Sequence, residues 1–223
     1  MKKIILLLLL IGSFSTLLFA QSSFLEKGQS GLLLSALSSA NQDLSGYSGE
    51  IGYSFSGVLD LGLSIGQYGY YEPYVSDDLK ATILSPFISY LIFKQDESTP
   101  LSISLNSSYQ KQFITNGYLD NFYTNVTGDH FRIGTSVFTD IEFFNAIKVQ
   151  PKAGFGYRAG KIKFEDSSGG SATTIHDTVI FDLGASFMLS RVSNYSFVVT
   201  PGIGIQKDLT NLNLSVSLLL PNN

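Results

Sequence analysis

The chain has 223 residues, a formal net charge of −4 at pH 7 and no cysteine. Charged residues make up 14% of it, against ~25% in an ordinary soluble domain, while mean hydropathy is +0.19. These figures exclude a lipoprotein anchor, a disulfide framework and thiolate metal sites, and a pI near 5.1 without any basic stripe argues against a nucleic-acid partner.

Lys2 and Lys3 precede an unbroken apolar run from Ile4 to Ile11, and a second short run ends at Leu17-Leu18-Phe19-Ala20. That order predicts a secretory signal peptide over residues 1–20, cut after Ala20. The competing reading is a retained anchor, but Gly12, Ser13, Ser15 and Thr16 leave its core short of the ~20 apolar residues of a span. Residues 21–223 then form one domain, because no Pro-rich, Ser-rich or charged linker divides them. No segment of that domain approaches ~18 consecutive apolar residues, which excludes helical membrane spans.

After Gly28 the sequence alternates with period two in stretches of about ten residues separated by turn chemistry. Candidate strands fall at 30–38, 46–56, 58–69, 81–93, 100–113, 130–142, 147–164, 177–190, 195–207 and 211–220. Leu59 to Gly66 shows the pattern well, with Leu59, Leu61, Leu63 and Ile65 on one face and Asp60, Gly62, Ser64 and Gly66 on the other. The first candidate is ambiguous, since Leu32-Leu33-Leu34 does not choose a face, so the count is ten with eight as the alternative.

Connections alternate in length. Ser56-Gly57 and the stretches 94–99, 142–146 and 191–194 are short, whereas 70–80, 114–129 and 165–176 are long and polar. Short turns on one side and long loops on the other is the layout of a transmembrane barrel, long loops outward, and an even strand count puts both termini on the short-turn side. The polar face carries Gly, Ser, Thr and Asn instead of the dense charge of a soluble surface. It therefore suits a confined lumen, with the aliphatic face toward lipid; a soluble β-sandwich is the competing architecture. Tyr68, Tyr70, Tyr71, Tyr74, Tyr109, Tyr118, Tyr123 and Tyr157 lie near the long-loop ends, as an interfacial girdle should. Pro86, Pro151 and Pro201 fall on the lipid-facing row near short-turn ends, where bulges or register changes are expected.

The leader, the alternation in Gly46-Tyr47-Ser48-Gly49-Glu50-Ile51-Gly52-Tyr53 and the segment Thr200-Pro201-Gly202-Ile203-Gly204-Ile205 resemble the small outer-membrane β-barrel proteins of Gram-negative bacteria, the broad OmpA-like and OmpX-like group. The resemblance implies an all-β, single antiparallel up-and-down transmembrane barrel in the outer membrane, inserted by the barrel assembly machinery and surrounded by outer-membrane lipid. Such proteins typically end on an aromatic residue, whereas this chain ends Leu218-Leu219-Leu220-Pro221-Asn222-Asn223.

Glu50, Asp60, Arg132, Asp140, Lys148, Lys152, Arg158 and Asp182 fall on the lumen face. A turn near Phe144 sets Asp140 against Lys148, and a loop centred near Gly170 brings Arg158 toward Asp182. Such a cluster reads either as a selective constriction or as a salt-bridged plug in a narrow barrel. The two histidines, in Asp129-His130 and His176-Asp177, fall at long-loop ends, where a hydrolytic site with Asp77, Asp78 or Asp120 is the enzymatic alternative. Asp77-Asp78 lacks the spacing of a Ca²⁺ loop, and nothing in the sequence calls for a metal or cofactor. The expectation is a non-enzymatic barrel, either a structural or surface-binding protein that meets an extracellular ligand through its long loops or a minor passive channel. The alternative is a protease-like or lipid-modifying outer-membrane hydrolase.

Overall fold

The computed structural model describes residues 25, 28–41, 44–70, 79–115, 123, 125–143, 147–192, 195–207 and 209–222. The expected leader lies outside them. Eleven strands follow in chain order: β1 Ser30–Ala40, β2 Leu44–Phe55, β3 Leu59–Tyr70, β4 Leu79–Phe93, β5 Ser102–Thr115, β6 Asn125–Phe138, β7 Ile141–Phe143, β8 Ile147–Glu165, β9 Ser171–Val192, β10 Tyr195–Gln206 and β11 Leu209–Asn222. Each pairs antiparallel with its neighbour, β1 with β11 and β6 with β8, so ten strands close a barrel. The three-residue β7 continues β6 beyond a break at Thr139 and Asp140 and pairs with the start of β8. Ten is thus the strand count, not eight.

Closure satisfies backbone donors and acceptors without an open edge, which is what strands in lipid require. Ser30 pairs with Asn222, placing both described ends of the barrel on the short-turn side. On that side, Ser56 and Gly57 both adopt positive φ (54° and 61°), and Val58 N donates to Phe55 O at 3.0 Å. This is the primed turn that matches the twist of a hairpin.

The expected long loop at 165–176 is not one. Asp166 Oδ1 accepts from Ser168 N (2.9 Å), Ser168 Oγ (2.7 Å) and Gly170 N (2.8 Å), and Gly169 takes φ +85°. That folds 166–170 into a tight turn, and pairing begins at once with Glu165 opposite Ser171. β8 and β9 consequently run 19 and 22 residues, against 12 for β10. β9 therefore rises nine residues, 171–179, above Ile180, the residue paired with the last residue of β10.

The prolines also differ from expectation. Pro86 and Pro201 lie mid-strand, where the β4–β5 and β9–β10 ladders are interrupted without a change of register, as a missing N–H dictates. The register shifts occur instead at Leu91/Phe93 and Tyr195/Phe197. Only Pro151 sits near a short-turn end.

Candidate functional site in the barrel lumen

Through the middle of the barrel the outward face is aliphatic and aromatic. Leu61, Leu63, Ile65, Ile88, Leu105, Ile133, Phe155, Phe181, Leu183, Ile203 and Leu214 are all exposed there. The inward positions are small and polar, and Ser89, Asn106 and Ser136 are tied across β4, β5 and β6 by bonds of 2.7 and 3.0 Å. In water this arrangement would be inside out; against hydrocarbon it is the stable one.

The belt ends upward at a row of tyrosines bound to polar side chains. Tyr47 Oη donates to Gln67 Oε1 (3.1 Å), Tyr109 Oη to Asp129, and Tyr157 Oη to Asp177 Oδ2 (2.8 Å). A ring that is apolar in body and polar at its tip belongs at this boundary. Tyr109 and Tyr157 thus occupy the expected girdle, and Tyr47 joins it. Tyr68 does not: it is buried inside the barrel, and Tyr123 packs against the same interior cluster. Tyr71, Tyr74 and Tyr118 lie outside the described residues.

Above the tyrosines the pattern reverses. Lys80, Lys161 and Lys163 point outward with Thr82 and Thr115, and Lys111 pairs with Asp129 on the outer face at 2.9 Å. The alternate residues Leu79, Ala81, Ile83, Ile114, Val126, Ile162 and Phe164 turn inward and form one buried cluster with Tyr68. Leu209, from β11 on the opposite wall, packs against it. This collar has the inside-apolar, outside-charged order of a water-soluble barrel. A period-two reading in a single phase misses it; the available signal was the switch to Lys-Ala-Thr-Ile at 80–83 and Lys-Ile-Lys-Phe at 161–164.

All eight charged residues assigned to the lumen point inward. Lys148 Nζ meets Asp140 Oδ2 at 2.7 Å, the pairing expected from the sequence. Asp140 Oδ1 also accepts from Gln150 Nε2 (2.7 Å), and its main chain is held by Gln95. The second expected pairing is replaced. The early turn at 166–170 sets Arg158 opposite Thr178 and Asp182 opposite Gly154. Asp182 instead forms an ion pair with Arg132, two strands away, and Arg158 Nη2 donates to Gln206 Oε1 at 3.1 Å. Lys152 interacts electrostatically with Asp182 on the adjacent strand and with Glu50 on β2, which in turn feels Asp60 on β3. Since β2 and β8 stand on opposite walls of the ten-strand circuit, this network crosses the lumen. A cavity of about 20 Å³ lies beside Arg132, Lys152 and Asp182, room for about one water molecule.

The histidines are not at a loop rim. His130 on β6 and His176 on β9 turn into the barrel, and His176 Nε2 lies 3.0 Å from His130 Nδ1. Their sequence neighbours Asp129 and Asp177 face outward and hold tyrosines. Asp77, Asp78 and Asp120, the carboxylates considered for a hydrolytic site, lie outside the described residues. Outside the membrane belt, the Asp166 carboxyl is held below the usual carboxylate range by its bonds from Ser168 and Gly170, and Asp96 by bonds from Ser98 and Thr99. Among the described residues no group of three His, Asp or Glu side chains could hold a metal ion.

No family model matches the chain, and no curated protein sequence matches it. Solved structures do. The translocator domain of the autotransporter NalP from Neisseria meningitidis aligns with a TM-score of 0.60 at 10% identity, covering 87% of this chain and 89% of that one. The β-domain of the Bordetella autotransporter BrkA gives 0.50 at 11% identity, over 86% and 99% of the two chains. Ail, the attachment invasion locus protein of Yersinia pestis, gives 0.36 at 12% identity, over 88% and 100%. At such identities a match speaks for architecture alone, and the first two carry that argument. The chain has the fold of the outer-membrane β-barrels, a closed antiparallel barrel of ten strands.

Proposed function

We propose that the protein is a non-enzymatic outer-membrane barrel, closed at neutral pH, that acts through the surface it raises above the membrane instead of passing solutes. The observation behind this reading is the collar, whose apolar cluster on β3, β4, β5, β6 and β8 reaches Leu209 on the far wall. Side chains that meet across a barrel leave no aqueous path at that level. Below it Arg132 pairs with Asp182 and Lys148 with Asp140, and Lys152 interacts with Asp182 and Glu50, which favours the salt-bridged plug over a constriction that selects ions. At the short-turn end Gly28 N bonds Ser56 O (2.9 Å) and Lys94 Nζ bonds the carbonyl of the buried Leu25 (2.5 Å), drawing the segment before β1 toward the β4–β5 turn. The same reading takes residues 1–20 as a cleaved leader, the outer membrane as the location, and the assembly machinery and surrounding lipid as partners. An extracellular ligand would meet the raised β8–β9 wall.

Against the hydrolase alternative stands the inward orientation of both histidines on which it was built. The test is conductance of the refolded barrel in planar bilayers at neutral pH, with folding checked by heat-modifiable migration. Silence from a folded barrel is expected; steady ohmic conductance would return the protein to the passive channels.

A further inference from the structure

The two histidines form a layer that the closed-barrel reading does not use. The registers place His130, Gly160 and His176 in one row across β6, β8 and β9. Two imidazoles separated by a strand meet only because the middle residue lacks a side chain; a Cβ on Gly160 would intrude on the His130 ring. The rings lie with centroids 4.7 Å apart and share one N–H between Nδ1 and Nε2. His130 Nε2 and His176 Nδ1 have no partner, and solvent does not reach either atom.

Position makes this layer consequential. Ile162, a member of the collar, is the next inward residue above it on β8; on β6 Gly128 comes next, and the collar's Val126 lies one row higher. Arg158, 1% exposed, is the next inward residue below it on β8, and both histidines interact electrostatically with it. The other inward neighbours are neutral: Gln110 and Gln112 from β5, Thr174 and Thr178 from β9, Gln206 from β10, with Tyr68 and Asn211 on the β3 and β11 walls. Arg132, further down β6, is committed to Asp182. Asp129, Asp177, Lys111 and Lys161 are on the outer face, from which Asp129 and Asp177 offset part of the Arg158 effect on His130 and His176. No carboxylate among the described residues of these strands is therefore turned inward at this level to receive a second proton's charge.

Resting on the closed-barrel reading, we propose that His130 and His176 are an acid-sensitive latch: protonation of both imidazoles parts their layer and the collar that rests on it, and so opens the lumen. With both charged, two imidazolium rings stand beside a guanidinium in a layer that water does not reach, and unpaired buried charge is strongly unfavourable. The hydrated open layer takes up the proton more readily than the closed one, so acid favours opening by linkage. One linked proton shifts the ratio of closed to open about tenfold per pH unit, and two shift it about a hundredfold, below the ordinary imidazole value of ~6.5.

The experiment uses the refolded mature chain in planar bilayers, with the loop side stepped from about pH 7.5 to about pH 4.5. The wild type should be silent at the higher pH and conduct at the lower, while His130→Gln/His176→Gln should stay silent at both. Arg158→Gln, which removes the neighbouring charge, should move opening to lower pH. Imidazole ¹⁵N resonances of the wild type give a readout independent of variant folding: both rings must titrate over the range in which conductance rises. Silence of a folded wild type at both pH values, titration without opening, or opening of the double variant as in the wild type each overturns the latch. Conductance already present at about pH 7.5 and unchanged by acid overturns the latch and the closed-barrel reading together.

Discussion

The membrane belt and the collar are made by the same strands, yet they obey opposite rules. On β8, Phe155 and Tyr157 face outward at belt level while Lys152 and Arg158 face in; a few residues higher, Lys161 and Lys163 face outward and Ile162 and Phe164 face in. The backbone pattern is unbroken across the change. What changes is the solvent outside, and the side chains show its level: hydrocarbon up to Tyr47, Tyr109 and Tyr157, water above. The vertical extent agrees, since the eight residue-to-residue steps from Tyr47 to Phe55 span roughly 20 Å once strand tilt is allowed for, close to the apolar band of such barrels.

If that contrast is right, one chemical change should have different costs in the two regions. The largest effect is expected in the collar interior: Ile162→Asp loses a fully buried aliphatic and buries a lone carboxylate, costing more than about 4 kcal/mol. It should abolish heat-modifiable migration or lower its midpoint sharply. In the belt interior the fragile element is ionic. Asp182→Asn leaves Arg132 buried without its counter-charge and should cost about 3 to 5 kcal/mol in urea titrations of the barrel in lipid. On the outer face, Leu63→Arg should cost about 2 to 4 kcal/mol in the same titration, whereas Lys163→Leu, outward but above the tyrosines, should change it by no more than a few tenths. Equal costs for these last two would erase the boundary.

A smaller effect is expected at the tip of the tall hairpin. The Asp166 carboxyl has its folded value held below the unfolded one of ~3.9. Its contribution is present above that value and is lost as pH falls through the folded value. Amide exchange at Ser168 and Gly170 should accelerate there in the wild type and already at neutral pH in Asp166→Ala, with the barrel midpoint unchanged.

Much of this architecture is legible in the residues. Leu59 to Gly66 alternates so regularly that strand, register and buried face follow from it, and Asp140 reaches Lys148 because a short turn tightly constrains register. Arg158 shows where that logic fails. Its partner depends on the centre of a turn, and Asp166 closes that turn earlier than the polar stretch 165–176 suggests. The collar is hidden from any reading that keeps one phase along the whole strand, although Lys161-Ile162-Lys163-Phe164 carries the opposite phase. The histidines are hidden for a related reason: their polar neighbourhood in sequence resembles a loop, while the Gly160 that lets the rings touch lies on a different strand.

The unequal height of the wall has a consequence for how the cell surface meets its surroundings. Nine residues of β9 stand above the end of β10, which at ~3.3 Å per residue is roughly 30 Å of strand. Ile175, 81% exposed, lies near the middle of that rise. Seen from outside, the barrel is therefore a vane and not a ring, with a raised side at β8 and β9 and a low side at β10 and β11. A molecule approaching from the medium meets a direction as well as a place, and any neighbour in the membrane that fixes the barrel's rotation also decides which way that vane points.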